Sequence, residues 1–128
     1  YLSTCYMDTL IRHKDRHAAK GHGFGYEIRD LDDVSGAIVC GGMGRERNLI
    51  IDKRQTNLTP TTHIKGEINK DGIRKMTPRE WARLQGFPDD YKFVLADVHL
   101  YKQFGNSVTV PVIQAIAEKI KEVLDKND

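Results

Sequence analysis

A glycine-rich loop in the first half of the chain is the clearest place where residue types and spacing indicate chemistry. Gly41, Gly42 and Gly44 are followed by Arg45 and Arg47. Glycine lets a backbone approach a ligand closely, and the guanidinium forks of arginine suit phosphate oxygens or the O6 and N7 atoms of guanine. The loop is therefore a candidate nucleic-acid contact, although a basic hairpin loop without a ligand fits the composition equally well.

A basic face near the start of the chain is a second candidate. Arg12, Arg16 and Lys20 recur every four residues, as on one side of a helix, with His13 and His17 beside them. The two histidines have the spacing of a metal pair on a helix, but the cations around them would repel a divalent ion. We predict a solvated face that contacts phosphates, and no metal site.

A polar loop and two cysteines are the remaining candidates for functional residues. The loop contains Thr62, His63 and Lys65, and it has the same ambiguity as the glycine-rich loop. Cys5 and Cys40 are too few for a disulfide framework, which indicates a reducing, cytosolic setting. Neither has the neighbours of a catalytic thiolate, and Cys40, at the end of an apolar run, is expected to be buried.

Periodicity and glycine positions predict the elements that hold these groups. We expect a helix over residues 6–20, ended by Gly21, and short strands over 36–40 and 48–51. Residues 26–29 also look like a strand. The glycine-rich segment 21–25 lacks the preceding strand and following helix of a phosphate-binding loop, so it predicts a flexible loop.

The last third of the chain has the strongest helix pattern. Thr77 is an N-cap, Pro78 takes the first helical position, and Glu80 completes a capping box. A second break is expected at residues 104–107. Apolar residues then recur every four positions to Leu124, which predicts an amphipathic C-terminal helix whose apolar face needs a partner.

Length and charge narrow the class of protein. The chain has 128 residues, which suits one domain rather than separate cofactor and substrate domains. No apolar run reaches the ~18 residues of a membrane span. The chain starts at Tyr1 without a leader, as though cut from something longer. Residues 1–75 have 13 basic and 10 acidic side chains (+3), and residues 76–128 have 7 and 8 (−1), so the positive charge lies in the first part.

Two sequence blocks resemble a known family. Residues 74–91 read RKMTPREWARLQGFPDDY, and residues 101–113 read YKQFGNSVTVPVI. Both resemble blocks of the DNA (cytosine-5) methyltransferases, in the family's order and spacing, and the variable stretch before them is where that family has its target recognition domain. The resemblance implies an α+β chain with a small, irregular, β-rich recognition region. Its C-terminal helices are expected to dock on an absent, doubly wound α/β catalytic domain.

The resemblance also divides the chain and implies roles for its residues. Residues 1–20 are a leading helical segment, 21–75 the DNA-reading region, and 76–128 the motif helix, cofactor turn and final helix. The residues expected to contact DNA are Gly41, Gly42, Gly44, Arg45, Arg47, Thr62, His63 and Lys65, with Arg12, Arg16 and Lys53 on phosphates. The residues expected to organise the junction are Pro78, Arg79, Glu80 and Arg83, the two arginines bonding carbonyls and carboxylates. The residues expected to complete the S-adenosylmethionine pocket are Gly105, Asn106 and Ser107.

The family's chemistry is thiolate attack on a flipped cytosine followed by methyl transfer to C5. Its attacking cysteine follows a proline, whereas Cys5 follows Thr4 and Cys40 follows Val39. We therefore expect the chain to be inactive alone. Its expected partners are double-stranded DNA and the catalytic N-terminal part or subunit, in the bacterial cytoplasm at the nucleoid. The alternative is a stand-alone, sequence-specific DNA-binding or regulatory module.

Overall fold

A computed structural model describes residues 1–61 and 64–127. Its elements, in chain order, are helix α1 (Thr4–Ala18), a 3₁₀ turn (Glu46–Asn48), strands β1 (Leu49–Ile51) and β2 (Ile73–Lys75), and helices α2 (Pro78–Leu84), α3 (Asp97–Asn106) and α4 (Val110–Asn127). The chain forms two compact units. Unit 1 comprises Tyr1–Ala37 and Gly41–Met76, and unit 2 comprises Ile38–Cys40 and the chain from Thr77 onward.

Helix α1 confirms the first predicted helix, although it begins two residues earlier than expected. Ser3 is its N-cap, and the hydroxyl oxygen accepts a hydrogen bond from the Tyr6 backbone N–H at 3.2 Å. Met7 and Leu10, three residues apart on one face, are buried. The predicted stop is also present, because Gly21 has the left-handed φ of 74° that reverses the chain after the helix.

The sheet is smaller than the sequence suggested. Strands β1 and β2 pair antiparallel, with Ile50 opposite Arg74, so the predicted strand at 48–51 is confirmed. The predicted strand at 36–40 is wrong, since that segment is in no ladder, and residues 26–29 contribute an isolated bridge from Ile28 to Leu49. The described chain is therefore mixed α and β, and the expectation of a β-rich recognition region is wrong.

A buried asparagine explains the missing strand. The side chain of Asn48 is fully buried, accepts from the Gly36 N–H at 2.7 Å and donates to the Ala37 carbonyl at 3.3 Å. These bonds satisfy the backbone of the 36–37 segment without a partner strand.

The core of unit 1 is a cluster of five apolar side chains from α1, both strands and the N-terminal segment: Leu2, Met7, Leu10, Leu49 and Ile73. Asn69 closes it. Its buried amide donates to the carbonyls of Leu2 (2.8 Å) and Ile73 (2.7 Å) and accepts from the Ile73 N–H (2.8 Å). The N-terminal segment is thereby held against β2 by hydrogen bonds sheltered from water.

Unit 2 is helical and has an aromatic core. Trp81 of α2 is 1% exposed and lies edge-to-face against Tyr101 of α3, with ring centroids 5.0 Å apart. Phe104 is likewise buried, with Phe87 and Phe93 at centroid distances of 5.3 and 5.4 Å. The sequence did not predict α3, whose first residues follow a loop without a side-chain cap.

Helix α4 confirms the predicted C-terminal helix, with Pro111 at its second position. Every residue from 111 to 126 is exposed, including the apolar stripe. In the described ranges, no helix is long and apolar enough to cross a membrane.

Candidate functional site

The glycine-rich loop is a compact turn leading into β1. Gly42 has a φ of 57°, which glycine adopts without strain, and the Gly44 N–H donates to the Gly41 carbonyl at 3.2 Å. The N–H of Arg47 then donates to the Met43 carbonyl at 3.1 Å. The backbone thus closes on itself and holds Arg45 and Arg47, both half-buried, close together on one short turn.

A buried ion pair anchors this turn. Glu46, between the two arginines, accepts from the Lys75 ammonium at 2.8 Å and from the Tyr6 hydroxyl at 3.0 Å. Burial and the neighbouring Glu46 carboxylate raise the pKa of Tyr6 to about 12. Burial opposes ionisation of Glu46 as well, but the bond from Lys75 outweighs it and holds the Glu46 pKa below its ordinary value.

Arg29 is a positioning residue that sequence reasoning missed. Its Nε donates to the Arg47 carbonyl at 3.2 Å, and its guanidinium pairs with Glu27. Arg29 lies 18 positions before Arg47, and no local sequence pattern indicates the contact between them, because only the fold brings the two segments together.

The other expected phosphate contacts lie on the surface of unit 1. Arg12, Arg16, Lys53 and Lys65 are all exposed. Arg12 donates to the Asp8 carbonyl at 3.3 Å, and Lys53 donates to the Asp71 carbonyl at 2.9 Å. Thr62 and His63 lie outside the described residues.

Asp52 organises a second cluster of arginines that the sequence did not single out. Arg54 forms a fork on its carboxylate at 2.9 and 2.7 Å, and Arg74 adds a bond at 2.9 Å. These bonds, with that of Arg54 first, hold the pKa of Asp52 far below its ordinary value. Lys53, between Asp52 and Arg54 in the sequence, is exposed and has no carboxylate partner in the described chain.

The motif helix has the predicted N-terminus. The Thr77 hydroxyl oxygen accepts from the Glu80 N–H at 3.2 Å, the Glu80 carboxylate accepts from the Thr77 N–H at 2.7 Å, and Pro78 is buried at the first turn. Arg79 donates to the Tyr91 carbonyl at 3.0 Å, and Arg83 forms a fork on the Asp89 carboxylate at 2.7 and 3.2 Å. Both arginines therefore pin the loop that follows α2.

The expected cofactor turn differs from the prediction. Gly105 and Asn106 belong to the last turn of α3, and Ser107 is its C-cap, so they do not cap α4. Gly105 is needed for close approach rather than for a turn, because a Cβ there would stand 2.4 Å from the Cys40 backbone nitrogen. Cys40 is exposed, contrary to expectation, since its backbone rather than its thiol makes this contact.

Gln85 is the residue that fixes this turn, and sequence reasoning missed it. Its buried side-chain amide donates to the Phe104 carbonyl at 2.9 Å and accepts from the Thr109 hydroxyl at 2.8 Å. Its backbone carbonyl accepts from the Val110 N–H at 2.8 Å. Gln85 thus ties the end of α3 and the start of α4 to the end of α2. The side chain of Asn106 is exposed and has no hydrogen-bond partner within the described part of the chain.

Residues 1–122 match the family model for C-5 cytosine-specific DNA methylase. The chain belongs to the C-5 cytosine-specific DNA methylase family. It is 67% identical over 124 residues to the Type II methyltransferase M.HpaII of Haemophilus parainfluenzae, covering 97% of this chain and 35% of the relative. It is 39% identical over 116 residues to the Type II methyltransferase M1.ScrFI of Lactococcus lactis subsp. cremoris, covering 91% and 26%. The chain therefore spans about a third or less of these relatives.

The fold of this methylase chain has a counterpart among solved structures. A methyltransferase of Entamoeba histolytica, EhMeth, aligns with a TM-score of 0.56 at 19% identity, over 77% of this chain and 32% of that chain. At this identity the likeness shows the fold alone. Within residues 1–61 and 64–127, no group of three or more histidine, cysteine or acidic side chains is arranged to hold a metal ion.

Proposed function

We propose that the chain is the DNA-recognition and cofactor-pocket-completing C-terminal portion of a DNA (cytosine-5) methyltransferase. The whole enzyme transfers a methyl group from S-adenosylmethionine to C5 of a cytosine flipped out of a specific DNA site. The family match over residues 1–122 carries this proposal. Catalysis by the chain alone is not part of it, because neither Cys5 nor Cys40 follows a proline.

Unit 1 is the proposed DNA-reading part. The loop that carries Arg45 and Arg47 is closed by backbone hydrogen bonds and anchored through Glu46, so the guanidinium groups start from a fixed backbone. A guanidinium group on a fixed backbone loses less conformational entropy when it binds a base edge. The exposed cations Arg12, Arg16, Lys53 and Lys65 are proposed to hold phosphates and set the register on the duplex.

Unit 2 is proposed to complete the cofactor pocket. Gly105 keeps the backbone of α3 against Cys40, and Ser107 ends the helix, so the exposed Asn106 amide is held on a rigid turn. An exposed amide with no internal partner fits one polar edge of a cofactor such as S-adenosylmethionine. When bound, that cofactor supplies the methyl group.

The exposed stripe of α4 is proposed to pack on the catalytic domain. Its apolar residues are each about half exposed, with Ile116 at 50% and Ile120 at 56%. Exposed apolar area of this extent is typical of a surface that is buried in an assembly. The bacterial cytoplasm, at the nucleoid, is the proposed location.

Complementation tests the proposal. The chain is mixed with a separately purified N-terminal polypeptide of M.HpaII carrying the early family blocks, and tritium transfer from labelled S-adenosylmethionine to DNA is counted. We expect transfer with the mixture and none with either part. Asn106→Ala is expected to raise the KM for S-adenosylmethionine, while Gln103→Ala, exposed one turn earlier on α3, serves as the matched control.

Absence of transfer, with both parts folded and associated, contradicts the proposal. Site-specific DNA binding by the chain without complementation supports instead the stand-alone module.

A further inference from the structure

Four aromatic rings gather where α1 ends, beside the exposed cations Arg16 and Lys20. His13 and His17 lie with ring centroids 4.5 Å apart, His17 and His22 are 6.2 Å apart, and Phe24 lies 5.8 Å from His17 and 5.9 Å from His22. We call this the four-ring cluster.

The end of α1 explains why the cluster forms. The His22 N–H donates to the His17 carbonyl at 2.9 Å, and the Gly21 N–H donates to the Ala18 carbonyl at 2.9 Å. Because Gly21 has a left-handed φ, these two bonds form a Schellman motif. In this motif the residue that follows the glycine lies beside the residue five positions before it. His22 is thereby folded back onto His17.

Positive charge is concentrated around the cluster. Residues 11–25 contain four basic side chains and one acidic side chain, a net +3, whereas the whole chain has +2, so the remaining residues sum to −1. The charged and titratable groups that act on His17 are His13, Arg16, Lys20 and His22, and none of them is acidic. This surface suits an anion.

Two imidazole nitrogens of the cluster have no hydrogen-bond partner among the described residues. The Nδ1 atoms of His13 and His17 are buried and have no hydrogen-bond partner in the described chain. Partial burial, followed by the neighbouring His13 and the nearby cations, lowers the pKa of His17, so this ring is neutral near pH 7 in the free protein. An anion supplied from outside would favour the protonated form.

Phe24 adds an apolar surface to this cationic one. Its side chain is 54% exposed although it contacts two histidines. Alternating phosphates and deoxyriboses present the same combination of negative charge and apolar surface along DNA.

We propose that the four-ring cluster, with Arg16 and Lys20, is a proton-linked contact for the DNA backbone, in which phosphate binding between His17 and His22 is accompanied by proton uptake at His17. This inference rests on the proposed function and adds to it a sequence-independent contact distinct from the loop of Arg45 and Arg47. A phosphate beside His17 stabilises the imidazolium, so binding strengthens as the pH falls from about 8 to about 6.

The test measures binding of the chain to a fluorescein-labelled duplex of random sequence by anisotropy, at constant ionic strength. We expect the Kd to be about fivefold lower at pH 6 than at pH 8. The double variant His17→Gln, His22→Gln is expected to bind with nearly the same Kd at both pH values. His99→Gln, exposed on α3, is the matched control and keeps the pH dependence.

Histidine NMR titration supplies a second readout that a merely structural role would not move. We expect addition of the duplex to raise the midpoint for His17, and Phe24→Ala to raise it in the free chain. If the duplex binds equally at pH 6 and pH 8, or the double variant keeps the wild-type pH dependence, the inference is overturned while DNA binding stands. If no duplex binds at any pH, both the inference and the proposed function are contradicted.

Discussion

The ammonium of Lys75 lies 2.8 Å from the carboxylate of Glu46, and both side chains are less than a tenth exposed. This pair joins β2 to the first residue of the 3₁₀ turn, Glu46, which lies between Arg45 and Arg47. A buried pair costs a large desolvation free energy, but removing one partner leaves the other charge uncompensated. The backbone of the glycine-rich loop therefore depends on two residues 29 positions apart in the chain.

Glu46→Gln is expected to destabilise unit 1 by roughly 3–5 kcal/mol, because Lys75 would stay buried without a carboxylate. Urea unfolding followed by far-UV circular dichroism measures the change. Glu67→Gln, at an exposed carboxylate, should stay within about 0.5 kcal/mol of the parent. Equal stability of the two variants would show that the buried pair does not hold the loop.

Acid stability should depend on Asp52. Its pKa in the folded chain lies below the ordinary value of 3.8, so its stabilisation is present above that value and is lost as the pH falls below it. Asp52→Asn should therefore flatten the acid limb of the stability profile below about pH 5. Asp125→Asn on α4, at an exposed carboxylate, should leave that limb unchanged, and an unchanged limb in Asp52→Asn would contradict the assignment.

Gly105→Ala should destabilise unit 2 by roughly 1–3 kcal/mol, since the added Cβ would meet the Cys40 backbone at 2.4 and 2.6 Å. Thermal unfolding measures the loss. Gly23→Ala is the control, because no atom lies within 4 Å of its Cβ position. Equal melting temperatures for the two variants would mean that α3 does not pack on the 39–40 backbone.

Gln85→Ala should cost roughly 1–3 kcal/mol, because it leaves the Thr109 hydroxyl and the Phe104 carbonyl without their partner. In the complemented enzyme the same change should raise the KM for S-adenosylmethionine, as the turn bearing Asn106 loosens. Gln114→Ala, at an exposed site on α4, should do neither. A stability loss with an unchanged KM would limit Gln85 to a structural role.

Arg45→Ala in the complemented enzyme should cost roughly 1–3 kcal/mol on the preferred DNA site and relax sequence preference. Lys53→Ala should instead weaken binding to all sequences equally and reduce the salt dependence. Competition binding with duplexes that differ by single base pairs separates the two effects. Uniform loss in Arg45→Ala, with preference intact, would exclude a base-reading role.

The sequence by itself determined the features that depend on neighbouring residues. The capping box of Thr77 and Glu80, the stop at Gly21 and the apolar repeat of α4 are local, because a few side chains bond or pack within one or two turns. The two sequence blocks likewise indicated the family that the comparison confirmed.

Tertiary structure decided what depends on distant partners. The segment at 36–40 has the composition of a strand. However, the Asn48 side chain bonds the backbone of residues 36 and 37, and the backbone of residue 40 packs on Gly105. The roles of Gln85 and Arg29 are likewise set by groups 18–24 positions away in the chain, which only the fold brings within hydrogen-bond reach. A buried polar group must find some partner, but composition does not say which one, and that choice placed the loop of Arg45 and Arg47 and the turn at residues 105–107.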